Sequence, residues 1–243
     1  MSKALVIIPT YNELENIPVV LDKVLNLSIL FDVLFVDDNS PDGTAELVKD
    51  YAKKYDKRVF LESKNKKEGL GKAYTLGFYW ALSKNYQYIF EMDADLSHDP
   101  NDLVRMYKEI DSSNCDVIVG SRYINGINVV NWPLSRIILS YLASIYSRVI
   151  TGLPVMDATS GFVGYKRKVL KKINLNSILF NGYAFQIELK FKAYKNNFKI
   201  LEIPIIFRDR IYGESKMNGD IILEAIFGLI KLKIYSFFND LNK

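Results

Sequence analysis

Short apolar runs alternate with helical periodicity through the first half of the chain, and no other feature restricts the fold as much. Residues 3–9 are almost wholly apolar, 31–36 read the same way, and shorter runs follow at 59–61, 88–92 and 117–120. Between them lie stretches with apolar residues three and four apart: 13–27 (Ile17, Val20, Leu21, Val24, Leu25), 42–55, 69–83 and 100–111. A strand apolar at successive positions has both faces covered, and strands separated by helix-length segments pair in parallel. The rhythm predicts an α/β chain with a mostly parallel sheet flanked by helices.

The second half is less regular. Residues 134–150 read as a long helix, 161–165 as a strand and 183–195 as a helix. Residues 199–207 read as a strand that Pro204 assigns to an edge, and 220–238 as a closing apolar helix. Spanning a bilayer takes about 18–20 apolar residues. The nearest stretch, 221–238, is interrupted by Glu224, Lys231 and Lys233.

Composition excludes several chemistries. Cys115 is the single cysteine and His98 the single histidine, so an internal disulfide, a multi-cysteine metal site and a histidine-rich zinc site are ruled out. A net charge of +4 spread among acids gives no basic tract, and nucleic acid is not an expected partner. Residues 1–8 run directly into the first apolar segment without a charged leader or a small-residue cleavage site, which predicts a cytoplasmic location.

Ligands of open parallel sheets bind beyond the carboxyl ends of the strands. Three such ends carry polar clusters: Pro9-Thr-Tyr-Asn-Glu13, Asp37-Asp-Asn-Ser-Pro-Asp-Gly-Thr44 and Glu91-Met-Asp-Ala-Asp-Leu-Ser-His98. Helix capping accounts for one such residue per loop. It does not account for Asp37-Asp38 or Asp93-x-Asp95 directly after apolar strands, where like charges repel. Two carboxylates two residues apart can converge on a hard cation such as Mg²⁺ or Mn²⁺, whose partner would be a diphosphate. Neither a Walker A loop nor a GxGxxG turn is present, so phosphate charge would be met by metal and by Lys or Arg.

With Val36 before the second cluster, Gly120-Ser-Arg-Tyr123 and Asp209-Arg-Ile-Tyr-Gly-Glu-Ser-Lys216, these motifs occur in one order over about residues 7–216. In this the chain resembles the dolichol-phosphate (polyprenol-phosphate) mannosyltransferases, inverting family 2 glycosyltransferases with the GT-A (Rossmann-like) fold. The resemblance implies a GT-A domain over residues 1–219, and a C-terminal amphipathic helix in 220–243 packed on it or lying at the membrane surface. It implies that Pro9, Tyr11, Glu13, Val36 and Asp38 hold the nucleotide, and that Asp95 and Asp93 are metal ligands beside Ala94. Ser97, where some relatives have Gln, is the third implied metal position, directly or through a water. By the same resemblance, Arg122 faces the nucleotide-sugar, Arg136 and Ser140 lie on the acceptor side, and Arg210 and Lys216 close over the diphosphate. Asp95, Arg210 and Lys216 carry the catalytic roles. The implied reaction moves mannose from GDP-mannose to a polyprenyl monophosphate. The residues alone leave open another nucleotide-sugar such as UDP-glucose, or a non-catalytic nucleotide-binding scaffold.

A lipid acceptor requires membrane contact, expected to be peripheral and on the cytoplasmic face, directly or through a membrane-protein partner. In 134–150, Arg136, Ser140, Ser144 and Ser147/Arg148 form one polar stripe; Asp220, Glu224, Gly228, Lys231 and Tyr235 form another in the last helix. The two segments read either as core helices or as a pair at a bilayer surface. Trp132, beside Pro133, is a candidate lipid contact. Trp80 and Cys115 are expected in the core, and His98 is expected to be structural.

Overall fold

The computed structural model describes residues 3–182, 184–210 and 219–238. Seven strands form one sheet: β1 (Ala4–Thr10), β2 (Phe31–Asp37), β3 (Val59–Ser63), β4 (Tyr88–Glu91), β5 (Val117–Ser121), β7 (Val163–Lys166) and β8 (Ile200–Pro204). Their order is β3-β2-β1-β4-β7-β5-β8. Strands β1 to β4 are parallel, as the alternation predicts, and β5 pairs with β8 in parallel. β7 is inserted antiparallel between β4 and β5, so the sheet is mixed. Gly164 permits that insertion: a methyl group there would lie 2.5 Å from the Phe90 ring.

The apolar runs are continuous because both faces are covered. Along β1, Leu5 and Ile7 enter one core layer with Leu34, Tyr74, Phe78 and Phe185. Ala4, Val6 and Ile8 enter the other with Phe31, Leu103 and Met106. The covering helices include α1 (Ile17–Leu25), α2 (Thr44–Lys54), α3 (Leu70–Ser83), α4 (Asn101–Ser112) and α7 (Ala184–Lys195). α3 lies so close to β1 that a methyl on Gly77 would sit 2.7 Å from Ile7. Trp80 packs on Phe60 and Tyr86, and Cys115 is buried, both as expected.

Segment 199–207 departs from the single strand predicted. β8 does take the sheet edge, but it stops at Pro204. After it β9 (Phe207–Arg208) pairs with β6 (Val129–Val130) in a separate two-stranded ribbon. α6 (Arg167–Lys172) and a 3₁₀ turn (Leu175–Ser177) were not anticipated.

α5 (Leu134–Thr151) and α8 (Gly219–Phe238) pack together. Tyr146 Oη donates to the Ile226 carbonyl (2.8 Å), and Lys233 Nζ donates to the Thr151 carbonyl (3.1 Å). Leu229 and Leu232 anchor α8 in the core. The serine stripe of α5 faces the protein. Ser144 Oγ donates to the Met156 carbonyl and accepts from Ala158 N–H, and Ser147 Oγ donates to the Ala143 carbonyl. The apolar side therefore faces outward: Leu134 is 70% exposed, Leu142 55% and Val149 75% on α5, and Phe227 69% and Phe237 68% on α8. Among the described residues, no helix is long and apolar enough to cross a membrane.

Candidate active site

The register brings the three polar clusters to one edge of the sheet. Thr10 lies opposite Asp37 and Ile7 opposite Glu91, so the loops after β1, β2 and β4 emerge side by side. The adjacent acids Asp37 and Asp38 have a structural explanation that the sequence argument denied them. Each carboxylate has its own donors, which offset their mutual repulsion. Asp37 accepts from the Thr10 hydroxyl (2.9 Å), Ser40 N–H (2.9 Å) and the Ser40 hydroxyl (2.6 Å). Asp38 accepts from Lys64 Nζ (2.7 Å), Glu68 N–H and Gly69 N–H, so both its oxygens brace the loop that leads into α3. Pro9 and Val36 are paired across β1 and β2. Tyr11 and Glu13 are half-buried beside them, and Lys67 Nζ sits 3.7 Å over the Tyr11 ring.

The loop after β4 is held in an unusual shape. Leu96 has φ +59°, rare for a bulky residue, and this places Ser97 N–H on Asp95 Oδ1 at 3.1 Å. Asp93 N–H donates to His98 Nδ1 at 3.3 Å. The imidazole is stacked on Phe162 and edge-on to Phe207. Burial pushes its pKa down to about 4, and the Arg122 charge acts in the same direction. His98 is thus a neutral structural acceptor, as its sequence context suggested. Desolvation first, and the neighbouring Asp95 second, push the Asp93 carboxyl up to about 7.

Cations surround this pair. Arg210 Nη2 lies 3.5 Å from Asp95 Oδ2. Asp209 Oδ1 accepts from Arg136 Nη1 (3.0 Å) and from Arg210 N–H (3.1 Å), linking the first turn of α5 to the carboxylate loop. Arg208 N–H donates to the Ser97 carbonyl, which fixes β9 against that loop. Ser140 Oγ accepts from Tyr123 Oη (2.7 Å). Trp132 is half-buried, with Arg136 stacked 4.1 Å from its ring centre and Phe207 edge-on, so it is a platform inside the site. Arg122 is buried against Asp157, with Nε and Nη2 each 2.7 Å from its carboxylate. Lys216 lies outside the described residues.

Asp93, Asp95 and Ser97 offer hard oxygen donors of the kind Mg²⁺ and Mn²⁺ prefer. The buried Ser97 hydroxyl has no hydrogen-bond partner, which suits a ligand or ligand-bound water. Among the described residues no third acid, His or Cys joins the two carboxylates, so the rest of a coordination sphere would come from substrate oxygens and water.

Beneath the site lie buried charged groups: sequence reasoning placed Glu91 in the polar cluster at the end of β4 without giving it a role, and it missed Lys190. Glu91 is buried, and burial pushes its carboxyl up to about 8 despite the nearby Lys190 charge. Lys190 is equally buried and pushed down to about 8, and it donates to the Ser160 carbonyl at 2.7 Å. Asp157 and Glu202 also escaped notice. The one available signal was an acid inside the otherwise apolar β8 segment.

Comparison with known proteins fits this geometry. The glycosyl transferase family 2 model matches residues 5–174. The chain is 44% identical over 225 residues to the polyprenol monophosphomannose synthase of Mycolicibacterium smegmatis, covering 93% of this chain and 84% of that protein. It is 40% identical to the undecaprenyl-phosphate mannosyltransferase of Micrococcus luteus, covering 94% and 93%. Among solved structures, it resembles glucosyl-3-phosphoglycerate synthase from Mycobacterium tuberculosis in complex with Mn²⁺, UDP and glucosyl-3-phosphoglycerate. The TM-score is 0.67 at 15% identity, over 97% of this chain and 79% of that one. The fold is GT-A, and the chain belongs to glycosyl transferase family 2.

Proposed function

We propose that this chain transfers mannose from GDP-mannose to a polyprenyl monophosphate, with inversion at the anomeric carbon, giving polyprenyl phosphate mannose. The names of its two relatives support the product class. The observation that carries the reading is the chain Arg136–Asp209–Arg210–Asp95, which joins a carboxylate pair to two guanidinium groups beside an outward apolar helix face. Two phosphorylated substrates, one of them a lipid, call for that combination.

In this reading Pro9, Tyr11, Glu13 and Val36 hold the nucleoside, while Asp38 braces the loop on the base side. Asp93 and Asp95, with Ser97 and the Ala94 backbone between them, would hold Mg²⁺ or Mn²⁺, which when bound supplies positive charge at the diphosphate. Arg122 faces the sugar-diphosphate. Arg136 and Ser140 receive the acceptor phosphate, whose second pKa is about 6, so it is largely a dianion at neutral pH. Its oxygen attacks the anomeric carbon as the bond to the nucleotide breaks, and the bonding electrons leave with GDP. No strong base is required, in keeping with a neutral His98. Arg210 and Lys216 stabilise the charge that builds on the leaving diphosphate and screen it from the acceptor phosphate. Residues 1–219 form the catalytic unit, and 220–243 carry the helix that joins α5 at the cytoplasmic membrane face as a peripheral contact.

The test is a panel of nucleotide-sugars, including GDP-mannose and UDP-glucose, offered with a short polyprenyl phosphate, with Mg²⁺, with Mn²⁺ and with chelator. A lipid product from GDP-mannose that is β-linked by NMR and lost with chelator is expected. A product from UDP-glucose alone would move the donor assignment. No lipid product from any donor would overturn the reading.

A further inference from the structure

The loop 156–160 after α5 carries no residue given a role above, yet its polar atoms are tied to several other elements. Glu202 on β8 accepts from Met156 N–H (2.6 Å) and Asp157 N–H (2.9 Å). Ser144 on α5 clips the Met156 carbonyl (3.0 Å) and Ala158 N–H (2.9 Å). Lys190 on α7 holds the Ser160 carbonyl, and the Ser160 hydroxyl donates to the Gly120 carbonyl on β5 (2.6 Å). This bracing converges on one side chain. Asp157, fully buried, accepts from the Arg122 backbone N–H (2.9 Å), Nε (2.7 Å) and Nη2 (2.7 Å), and Nη2 also reaches Thr159 Oγ1 (2.8 Å). Those bonds leave Nη1 as the nitrogen they do not engage. The rings of Tyr123, Phe207 and Trp132 surround the guanidinium at 5.1, 5.6 and 5.8 Å.

We propose that Asp157 is the positioning residue of Arg122, and that loop 156–160, held by Glu202 and Ser144, is a bracket aiming the guanidinium at the transferred sugar-diphosphate. The inference rests on the reading above, in which Arg122 faces the donor. Burial alone would raise the Asp157 pKa, but the Arg122 charge overrides it and holds the carboxyl below its ordinary range, so the pair is ionised at neutral pH. A bidentate carboxylate with a third bond to the same residue's backbone removes the freedom of the side chain to swing, and positional error in a charged group is costly to rate. Because Ser144 sits on α5, the bracket also ties the aim of Arg122 to the helix with the outward apolar face.

The test uses the full chain and compares Asp157→Asn, Glu202→Gln and Ser144→Ala with wild type, alone and with Arg122→Ala. Each is followed by kcat, KM for both substrates and thermal unfolding. Asp157→Asn is expected to lower kcat by about 10²-fold, with KM for the lipid acceptor changing by less than about 3-fold. In the Arg122→Ala background the same change should cost less than about 3-fold, because the group it aims is gone. Glu202→Gln and Ser144→Ala should lower kcat by about 10-fold and lose that effect in the same background. They serve as the test if Asp157→Asn does not fold. Effects that multiply fully with Arg122→Ala, or variants with lowered stability and unchanged kcat, would overturn the bracket while leaving the function standing. A wild-type chain that transfers no sugar would instead overturn the function, and the bracket with it.

Discussion

Arg210 Nη2 stands 3.5 Å from Asp95 Oδ2, so on the proposed reading this carboxylate would be shared between a guanidinium and a divalent ion. Two cations competing for one anion weaken each other's binding, until a diphosphate arrives with charge enough for both. Arg210→Ala should therefore tighten Mn²⁺ binding in the absence of nucleotide by several-fold, while turnover falls by about 10²-fold or more. Calorimetric Mn²⁺ titration beside a transfer assay separates the two. Weaker metal binding together with normal turnover would be the opposite result.

Asp95→Asn keeps the shape of the side chain and an oxygen for Ser97 N–H but removes the charge. Transfer should drop by about 10³-fold, with thermal unfolding shifted by only a few degrees, because the amide matches the carboxyl in volume and keeps the acceptor for Ser97 N–H. Near-normal transfer with the metal still required would exclude Asp95 as its ligand.

His98 gives a pH signature. Its ordinary pKa of 6.5 falls to about 4 in the folded chain. The unfolded chain takes up a proton near 6.5 that the folded chain resists until about 4. The stability linked to His98 is therefore complete above about 6.5 and declines as pH falls toward 4, by about 3 kcal/mol at most. His98→Asn keeps an acceptor for Asp93 N–H and removes this titration. Urea unfolding between pH 4 and 7 should show a shallower acid slope for the variant; equal slopes would refute the assignment.

The outward face of α5 and α8 predicts surface binding. Leu142→Asp and Val149→Asp alter exposed positions and should leave unfolding temperature nearly unchanged. Together they should weaken co-sedimentation with anionic vesicles by about 10-fold or more, from lost apolar burial and added repulsion. Truncating α8 is a poorer test, since it strips Leu229 and Leu232 from the core. Unchanged sedimentation of the double variant would assign this face to a protein partner.

The sequence revealed what depends on neighbours along the chain and little that depends on distant ones. β1 to β4 and the Asp93-x-Asp95 loop were legible because apolar runs and local polar clusters carry the signal. The antiparallel sense of β7 was not, since a four-residue strand looks the same in either direction. Asp157 and Glu202 were invisible for a related reason: Asp157 meets Arg122 across 35 residues, and Glu202 meets Met156 across 46. The stripe on α5 was seen, but a helical period does not say which side meets water. The inward Ser144 is explained by the Met156 carbonyl and Ala158 N–H of the loop it clips, and the inward Ser147 by the Ala143 carbonyl of its own helix.

α5 has a consequence for acceptor choice on this membrane-bound reading. Arg136 lies in its first turn and Val149 in its last, about 20 Å apart along the axis. Laid in the lipid surface by its apolar side, the helix works as a gauge, with the phosphate grip at one end fixed relative to the headgroup plane. Height above the bilayer, rather than tail length, then decides which lipid is taken. Acceptors that differ only in the far isoprene units present the same phosphate at the same level and compete as equals.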